Sequence, residues 1–240
     1  MGSETKTAKR LNPNWAQLQQ ILKSKLPKPS QPSIPDYSRK IVDTSLDAIA
    51  MDCEMVGVSS EGNKSAIGRV TLVNAWGNVL YDEYVRPLEH VVDFRTKISG
   101  IRPHHLRKAK DFQTAQKKVA ELTKGRILVG HSLRNDLKAL FLSHPKKDTR
   151  DTSEYPPFLK EGRRPALRVL AARLLSVEIQ QKEHCPIEDA RAAMMIYQMH
   201  KKEWEKSLKT RARIKEKLKS HKWRRKSKQK DALQHDQEAV

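Results

Sequence analysis

Two carboxylates, Asp52 and Glu54, stand two positions apart directly after the apolar residues 49–51. The apolar run is typical of a buried central strand, and residues i and i+2 of a strand point to the same face, roughly 7 Å apart along it. Two carboxylates on one face at the end of a buried strand are costly unless a positive group lies between them. A divalent cation such as Mg²⁺, which prefers oxygen ligands, would supply that charge, whereas the pair alone would also fit a solvated surface.

A third carboxylate, Asp136, lies in the segment Gly-His-Ser-Leu-Arg-Asn-Asp (130–136), where a predicted strand ends and a predicted helix begins. Its place near the first turn of that helix suits a metal ligand, but it equally suits a residue that only complements the positive helix terminus. His131 in the same segment could serve as a ligand, although a capping or packing role is favoured. Asp136 therefore becomes a site candidate only together with the other acidic residues.

A fourth carboxylate, Asp189, follows His184 by five positions. Pro186 suits the first position of a helix, so Asp189 falls in the first turn of that helix while His184 lies on the loop before it. A neutral imidazole on a loop can swing over a site and accept a proton from water near physiological pH. Glu188, beside Asp189, is interpreted as a solvated residue.

These residues must be positioned by the elements that the hydrophobic pattern predicts. Strands are predicted at 48–56, 69–74, 78–85, 126–129 and 150–152, with a tight turn at 75–78. Helices are predicted at 112–122, 132–142, 165–175 and 186–219, and a short one at 14–22 precedes an extended, proline-containing linker at 26–36. Three strands joined by tight turns and followed by alternating helices and strands indicate a mixed α/β sheet of about five strands flanked by helices.

The net charge of +20 is concentrated toward the two ends of the chain. Residues 1–40 contain 8 Lys/Arg and 2 Asp/Glu, and residues 201–240 contain 15 and 6. We therefore predict a basic, proline-rich N-terminal extension at 1–40, a folded domain at 41–204, and a basic tail at 205–240 that is helical at first and disordered from residue 220. A surplus of this sign suits a polyanion such as nucleic acid, whereas the alternative is a solvated tail that only keeps the protein soluble.

Several classes of protein are disfavoured by the cysteines and the motifs. Cys53 and Cys185 form no Cys-x-x-Cys pair and imply no disulfide framework, which fits a reducing intracellular compartment. The first ten residues lack the apolar segment of a secretory signal, and no stretch approaches the ~20 apolar residues of a membrane span. No Gly-x-Gly-x-x-Gly follows a predicted strand, so a dinucleotide-dependent oxidoreductase is not indicated.

The acidic residues and their order along the chain resemble a known family. The segments Asp-Cys-Glu-Met-Val-Gly (52–57) and Gly-His-Ser-Leu-Arg-Asn-Asp-Leu (130–137) are similar to those of the DEDDh exonucleases, which have the RNase H-like fold. The likeness covers about residues 46–200 and is strongest to the RNA exonuclease 4 branch. Further segments that carry it lie at 84–87, 94–96, 99–101, 143–147, 150–152 and 201–204.

The resemblance implies roles for individual residues. The catalytic set is expected to be Asp52, Glu54, Asp136, His184 and Asp189. Four of these are expected to hold two Mg²⁺ ions, with Mn²⁺ as an alternative: Asp52, Glu54, Asp136 and Asp189. His184 is expected to be the general base. Contacts to the substrate are expected from Met55, Arg95, Ser99, Gly100 and Ile101.

Alternative interpretations remain open for the residues that the resemblance places near the substrate. Met55 would pack equally well in the core, and the segment 99–101 would also form an ordinary turn in which Gly100 supplies backbone freedom. Arg95, Arg69 and Arg134 could meet phosphates, but an exposed arginine needs no such partner.

The resemblance further implies an exoribonuclease that removes nucleoside 5′-monophosphates from the 3′ ends of single-stranded RNA. It also implies residence in the nucleus, in the nucleolus in particular, and ribosomal RNA precursors as substrates. The basic segment 222–228 is predicted to be a nuclear localisation patch or an RNA-binding arm. We expect a monomer with no membrane association. The alternatives are a mixed RNA/DNA exonuclease and a non-catalytic, basic RNA-binding assembly factor, against which the intact acidic set argues.

Overall fold

The computed structural model describes the backbone of residues 48–238 and the side chains of residues 48–217. The predicted helix at 14–22, the linker at 26–36 and the rest of the N-terminal extension lie outside the described residues. The chain forms two compact units, the first ending at Gln198 and the second beginning at Met199.

A mixed sheet forms the centre of the first unit. Its strands are β1 (Ala48–Val58), β2 (Lys64–Asn74), β3 (Val79–Arg86), β4 (Val91–Asp93), β5 (Lys110–Asp111), β6 (Ile127–Gly130) and β7 (Thr149–Asp151). The order is β5-β3-β2-β1-β6-β7, and β4 pairs additionally with β1. β1, β2 and β3 are antiparallel neighbours, whereas β6 runs parallel to β1 and β7 parallel to β6. The mixed α/β sheet is confirmed, with seven strands in place of about five because two very short strands, β4 and β5, join it.

The predicted strands are found, with some different ends. β1 continues to Val58, and β2 begins at Lys64 instead of residue 69 because its first residues pair with the end of β1, Gly57 opposite Ser65. The tight turn at 75–78 is confirmed. There the N–H of Asn74 donates to the carbonyl of Asn78 at 2.9 Å, and Gly77 takes the left-handed conformation with φ 77°.

Six helices surround or follow the sheet among the described residues. They are α1 (Thr96–Ser99), α2 (Pro103–Arg107), α3 (Phe112–Thr123), α4 (Leu133–Ala139), α5 (Leu167–Leu170) and α6 (Pro186–Glu238). A π-helical turn, Ala171–Leu175, continues α5, and short 3₁₀ turns occupy Lys146–Asp148 and Pro156–Phe158. No helix in the described part of the chain combines the length and the apolar character that crossing a bilayer requires.

Three helix boundaries differ from those predicted. α4 ends at Ala139 and not at 142, and α5 begins at Leu167 and not at 165. α6 continues to Glu238, so its predicted end at 219 was too early, and the backbone is helical in most of the segment where disorder was expected.

The main core fixes β1 from one side. Ile49 and Met51 pack with Phe112, Ala115 and Val119, which recur on one face of α3 at helical spacing. Asp111 caps α3, since its carboxylate accepts the N–H of Thr114 at 2.8 Å. Because side chains alternate along a strand, Asp52 and Glu54 point to the face opposite to that of Met51.

Candidate active site

Two carboxylates from the middle of β1, and not from its end as the sequence predicted, project into a groove with a volume of about 1100 Å³. Asp52 keeps part of its surface open to the groove although it is surrounded by protein atoms, and Glu54 is only 4% exposed. Asp136 and His184 line the same groove. The side chains that the sequence placed on separate elements therefore meet at one surface.

Asp136 is positioned by a helix cap that a residue of strand β7 supplies. α4 begins after Ser132, whose backbone is left-handed (φ 60°) and whose hydroxyl does not cap the helix. Instead the carboxylate of Asp151, at the end of β7, accepts the N–H groups of Ser132 at 2.8 Å and of Leu133 at 2.9 Å. The same carboxylate accepts the backbone N–H and the hydroxyl of Ser153. Four donors thus fix Asp151, and Asp151 fixes the start of the helix that presents Asp136.

His131 forms a hydrogen bond at the same junction, where β6 leads into α4. The hydroxyl of Thr152 donates to the carbonyl of Gly130 at 3.0 Å and lies 2.9 Å from Nδ1 of His131. Because the hydroxyl proton is directed to Gly130, Nδ1 of His131 carries the proton and donates to Thr152. This arrangement matches the packing role favoured from the sequence. Burial lowers the pKa of His131.

Asp189 lies in the first turn of α6 and is 2% exposed. One of its oxygens, Oδ2, accepts a hydrogen bond from the side-chain amide of Gln180 at 2.9 Å. The loop residue His184 is held by its backbone, since its N–H donates to the carbonyl of Ile98 at 2.7 Å. Nδ1 of His184 lies 3.9 Å from Oδ2 of Asp189, which is too long for a hydrogen bond and close enough for charge interaction.

Glu54, His184 and Asp189 each offer one ligand atom, and these three atoms lie within 4.8 Å of one another. Burial raises the pKa of Asp52 well above its ordinary value, and the nearby charges of Asp189, Asp136 and Glu54 raise it further, so Asp52 and Asp136 lie beside the same group. All five residues predicted to form the site are therefore brought together, from three separate parts of the chain.

Two buried oxygens in this cluster lack a partner among the described residues, Oε1 of Glu54 and Oδ1 of Asp189. A buried carboxylate oxygen without a donor is destabilising by more than ~1 kcal/mol, and native proteins rarely leave one so. Both atoms belong to residues whose ligand atoms converge. Carboxylate oxygens are the ligands that divalent cations such as Mg²⁺ or Mn²⁺ accept, so the residues fit a metal site with the imidazole of His184 beside it.

The electrostatics of the metal-free protein agree with that conclusion. Burial raises the pKa of Glu54 to about 8, with a further contribution from Asp189 and an opposing one from Arg69. Burial raises the pKa of Asp189 to about 7, against the hydrogen bond from Gln180. Burial also raises the pKa of Asp136. Carboxylates so crowded retain protons near neutral pH, and a bound cation would replace those protons.

His184 shows the opposite shift. Its burial and the charge of Arg168 lower its pKa, so the imidazole is neutral at physiological pH. A neutral imidazole can accept a proton, which the base of a hydrolytic reaction must do. The arrangement provides acidic ligands, a neutral base and an open groove that a chain-like substrate can enter.

The RNase_T exonuclease family model matches residues 49–197, which include the whole cluster. This chain belongs to the RNase_T exonuclease family. Members of this family are metal-dependent hydrolases that act on phosphodiester bonds. The family resemblance noted in the sequence is thereby confirmed.

Two curated relatives of this RNase_T domain illustrate the similarity. RNA exonuclease 4 of Homo sapiens is 55% identical over 161 residues, which cover 66% of this chain and 38% of the human protein. RNA exonuclease 4 of Saccharomyces cerevisiae is 52% identical over 161 residues, covering 66% of this chain and 56% of the yeast protein. The chain thus spans less than two thirds of the length of these relatives.

Solved structures of Pan2 share the fold. The Saccharomyces cerevisiae Pan2 pseudoubiquitin hydrolase–RNA exonuclease module in complex with AAUUAA RNA has a TM-score of 0.59 at 30% identity, over 68% of this chain and 30% of that chain. The Neurospora crassa Pan2 catalytic unit has a TM-score of 0.59 at 28% identity, over 77% and 31%. The RNase H-like α/β fold expected for the exonuclease domain is confirmed.

Two of the arginines considered as phosphate ligands are occupied by protein groups in this RNase_T domain. Arg69 forms a bidentate pair with Asp82 at 2.7 and 2.8 Å and lies over the ring of Tyr84. Arg69 is also the cross-strand partner of Glu54, whose pKa it lowers. Arg95 donates to the hydroxyl of Ser65 and to the carbonyl of Gly62, so it braces the β1–β2 loop while lining the groove. Arg134 is exposed on α4.

The other residues expected near the substrate fall into two groups. Met55 and Ser99 line the groove, and the Ser99 hydroxyl is already used in donating to the carbonyl of Phe94. Gly100 is left-handed (φ 65°), and a Cβ there would lie 3.2 Å from a carboxylate oxygen of Glu183. Ile101 is fully buried with Val56 and Leu106, so its side chain belongs to the core.

Sequence reasoning missed several groups that shape the site. Asp151 and Gln180 orient the carboxylates, but Asp151 lies on strand β7 and Gln180 on a loop, so each acts on a helix from outside it, and no local pattern indicates that. Only the Arg-Asp-Thr segment at 150–152, noted for its family likeness, pointed toward Asp151. Glu183 and Arg102 form a bidentate ion pair at 2.6 and 3.2 Å next to His184, and nothing in the sequence relates two residues so distant.

Proposed function

We propose that this protein is a 3′→5′ exoribonuclease that removes nucleoside 5′-monophosphates from the 3′ ends of single-stranded RNA, acting as a monomer. One observation carries the proposal above the others: four buried or partly buried carboxylates converge beside a neutral imidazole, and two of their oxygens have no partner among the described residues. Such a cluster is destabilising for the protein by itself, and it becomes favourable around cations.

The proposed metal ligands are the four carboxylates, Asp52, Glu54, Asp136 and Asp189. Two Mg²⁺ ions bound there, or Mn²⁺ in their place, would stabilise the charge on the attacking and leaving oxygens of an in-line phosphodiester hydrolysis. The protein contributes fixed positions for these ligands through the Asp151 cap and the Gln180 hydrogen bond.

His184 is proposed to accept the proton of the attacking water. Its pKa is lowered, so it begins the reaction neutral. The imidazolium formed on accepting a proton is stabilised by Asp189, because Nδ1 lies 3.9 Å from Oδ2. The side chain is 33% exposed, so the proton can then pass to solvent. The backbone bond to Ile98 keeps the imidazole beside the carboxylates throughout.

RNA as the substrate is supported from two directions. The curated relatives are RNA exonucleases by name, and the Pan2 structure of the same fold holds RNA. The net charge of +20 favours a polyanion of any kind. The basic segment 222–228 supports a further part of the proposal, that the protein works in the nucleus, in the nucleolus in particular, on ribosomal RNA precursors.

A timed digestion tests this function. Single-stranded RNA and DNA of one sequence, labelled at the 5′ end, are incubated with the protein in Mg²⁺ or in EDTA. We expect RNA to shorten stepwise from its 3′ end with release of 5′-monophosphates, and EDTA or Asp52→Ala to stop the reaction. Glu121→Ala, an exposed carboxylate on α3, serves as the matched control and should retain full activity.

The other outcomes have distinct meanings. Equal rates on RNA and DNA would make the protein a mixed exonuclease. Tight RNA binding without release of mononucleotides would make it an assembly factor and would overturn the proposal.

A further inference from the structure

Phe141 is an aromatic residue held in a strained conformation at the edge of the groove. It is 69% exposed, the largest fraction for any large hydrophobic residue in the described part of the chain. Its backbone is left-handed, with φ 51°. Residues with a Cβ rarely adopt that conformation, and aromatic residues have no local hydrogen bond to compensate for it.

The strain arises from the way α4 ends. The N–H of Phe141 donates to the carbonyl of Lys138 at 3.1 Å, and the N–H of Leu142 donates to that of Leu137 at 2.8 Å. These two bonds form a Schellman motif, in which the position of Phe141 is usually taken by glycine. The amide of Gln116 braces the turn by donating to the carbonyl of Leu140 at 2.7 Å. The helix end is therefore well formed, and the unusual element is the aromatic side chain.

Phe141 is directed at the proposed substrate path. It lines the groove that also holds Asp52, Glu54 and Asp136. Asp136 lies on α4 five residues before Phe141, which directly follows the C-cap of that helix. The ring meets Phe112 edge-on, with ring centres 5.7 Å apart, and Phe112 is a core residue. One contact thus fixes the orientation of a ring that otherwise remains exposed.

Basic side chains accompany the ring. Lys138, in the last turn of α4, lines the groove, as do Lys64, which pairs with Glu89 at 2.6 Å, and Arg95, which donates to Gly62 and Ser65. An exposed aromatic ring beside cations is the combination that binds single-stranded nucleic acid, since bases stack on the ring while the cations meet phosphates.

We propose that the ring of Phe141 stacks on an RNA base upstream of the terminal nucleotide. The groove would then bind the RNA on the 5′ side of the bond that is hydrolysed. This inference rests on the proposed exoribonuclease function. It assigns to Phe141 a role in affinity for longer substrates and none in the chemistry. A glycine at this position would relieve the backbone strain, but it has no ring to stack on a base. The proposed stacking therefore explains why a strained phenylalanine occupies the position.

Steady-state kinetics on two substrates test the inference. On a single-stranded RNA of ten nucleotides, Phe141→Ala should raise KM about tenfold, equivalent to ~1.4 kcal/mol, with kcat little changed. Phe141→Tyr and Phe141→Trp should keep the wild-type KM, whereas Phe141→Leu should resemble the alanine variant. On the p-nitrophenyl ester of uridine 5′-phosphate, which is too short to reach the ring, all variants should match the wild type.

Thermal unfolding separates this role from a structural one. Phe141→Gly removes the strain, so its melting temperature should equal or exceed that of the wild type while its KM for RNA rises. Equal losses on the long and the short substrate, or an unchanged KM for RNA in Phe141→Ala, would overturn the inference.

Fluorescence anisotropy with a labelled RNA oligonucleotide and no Mg²⁺ measures the affinity for RNA, and therefore the proposed stacking contact, independently of cleavage. If the wild type cleaves nothing, the proposed function fails. A weaker affinity of Phe141→Ala would still support the stacking contact in that case, and an equal affinity would overturn it.

Discussion

Oδ2 of Asp151 accepts the backbone N–H of Leu133 at 2.9 Å, so a carboxylate on strand β7 caps the helix that carries Asp136. We predict that Asp151→Asn lowers the free energy of unfolding by about 1–2 kcal/mol, because one oxygen is lost from a buried set of four hydrogen bonds. We also predict that kcat falls more than KM rises, since Asp136 is displaced without loss of the groove.

Thermal unfolding and steady-state kinetics check both statements. Asp148→Ala, a nearby surface carboxylate, is the control and should change neither. If Asp151→Asn unfolds at a lower temperature but keeps the wild-type kcat, the cap stabilises the protein without positioning Asp136 for the reaction.

The raised pKa values of Glu54 and Asp189 predict how stability depends on pH in the metal-free protein. The ordinary values are 4.5 and 3.8, and the folded values are about 8 and about 7. Between these limits the folded protein binds more protons than the unfolded chain, so its free energy of unfolding must fall as pH rises. We expect a loss on the order of a few kcal/mol from pH 4.5 to pH 8, measured by urea unfolding in EDTA.

Two controls belong to that measurement. Glu54→Gln carries no titrating group and should flatten much of the pH dependence, whereas Glu121→Gln should leave it unchanged. Mg²⁺ should raise the melting temperature more at pH 8 than at pH 5, because protons no longer compete for the carboxylates. Stability that rises with pH in the metal-free protein would contradict the crowding of these groups.

As the proposed base, His184 is expected to set the acid limb of the pH–rate profile. His184→Ala should lower kcat by about 10²–10⁴-fold while Mg²⁺ binding by calorimetry persists, since four carboxylates remain. Arg168 lowers the pKa of His184, so Arg168→Ala should raise that pKa and move the acid limb to higher pH. Arg173→Ala is the matched control on the same segment. A profile that is flat from pH 5 to pH 8 with hydrolysis rate-limiting would exclude His184 as the base.

The ion pair between Arg102 and Glu183 lies directly before His184. Both side chains are about 40% exposed, so Glu183→Gln should change the free energy of unfolding by less than ~1 kcal/mol. It should nevertheless lower kcat severalfold, because the ion pair helps the bond to Ile98 to hold the loop that carries His184. Lys118→Gln, which breaks an exposed pair on α3, should leave kcat unchanged. Equal kcat in both variants would show that the pair does not orient the imidazole.

The parts of the fold that the sequence predicted correctly have local signals. β1 shows an apolar run, and its two carboxylates follow at strand spacing. The hairpin turn at 75–78 contains the glycine that its backbone requires. The convergence of Asp136 and Asp189 with them follows from the fold that the family resemblance implied, and the coordinates agree with it.

The structural features that the sequence did not predict have no local signal in the sequence. β4 and β5 contain three and two residues, too few for an alternating pattern to register. α4 ends early because Phe141 takes a conformation that favours glycine, and the sequence has none there. α6 extends past 219 through residues without an apolar face, where composition alone suggests disorder. The Asp151 cap depends on a strand pairing far along the chain.

One residue of the site is a cysteine, placed between two of the carboxylates. Burial, and after it the charges of Asp136 and Asp52, raise the pKa of Cys53 well above its ordinary value. Only the thiolate reacts readily with alkylating agents and peroxides, so we expect this partly buried sulfur to react slowly with both. Burial, and after it the same negative charge that calls for cations, should therefore protect this wall of the groove from oxidative damage.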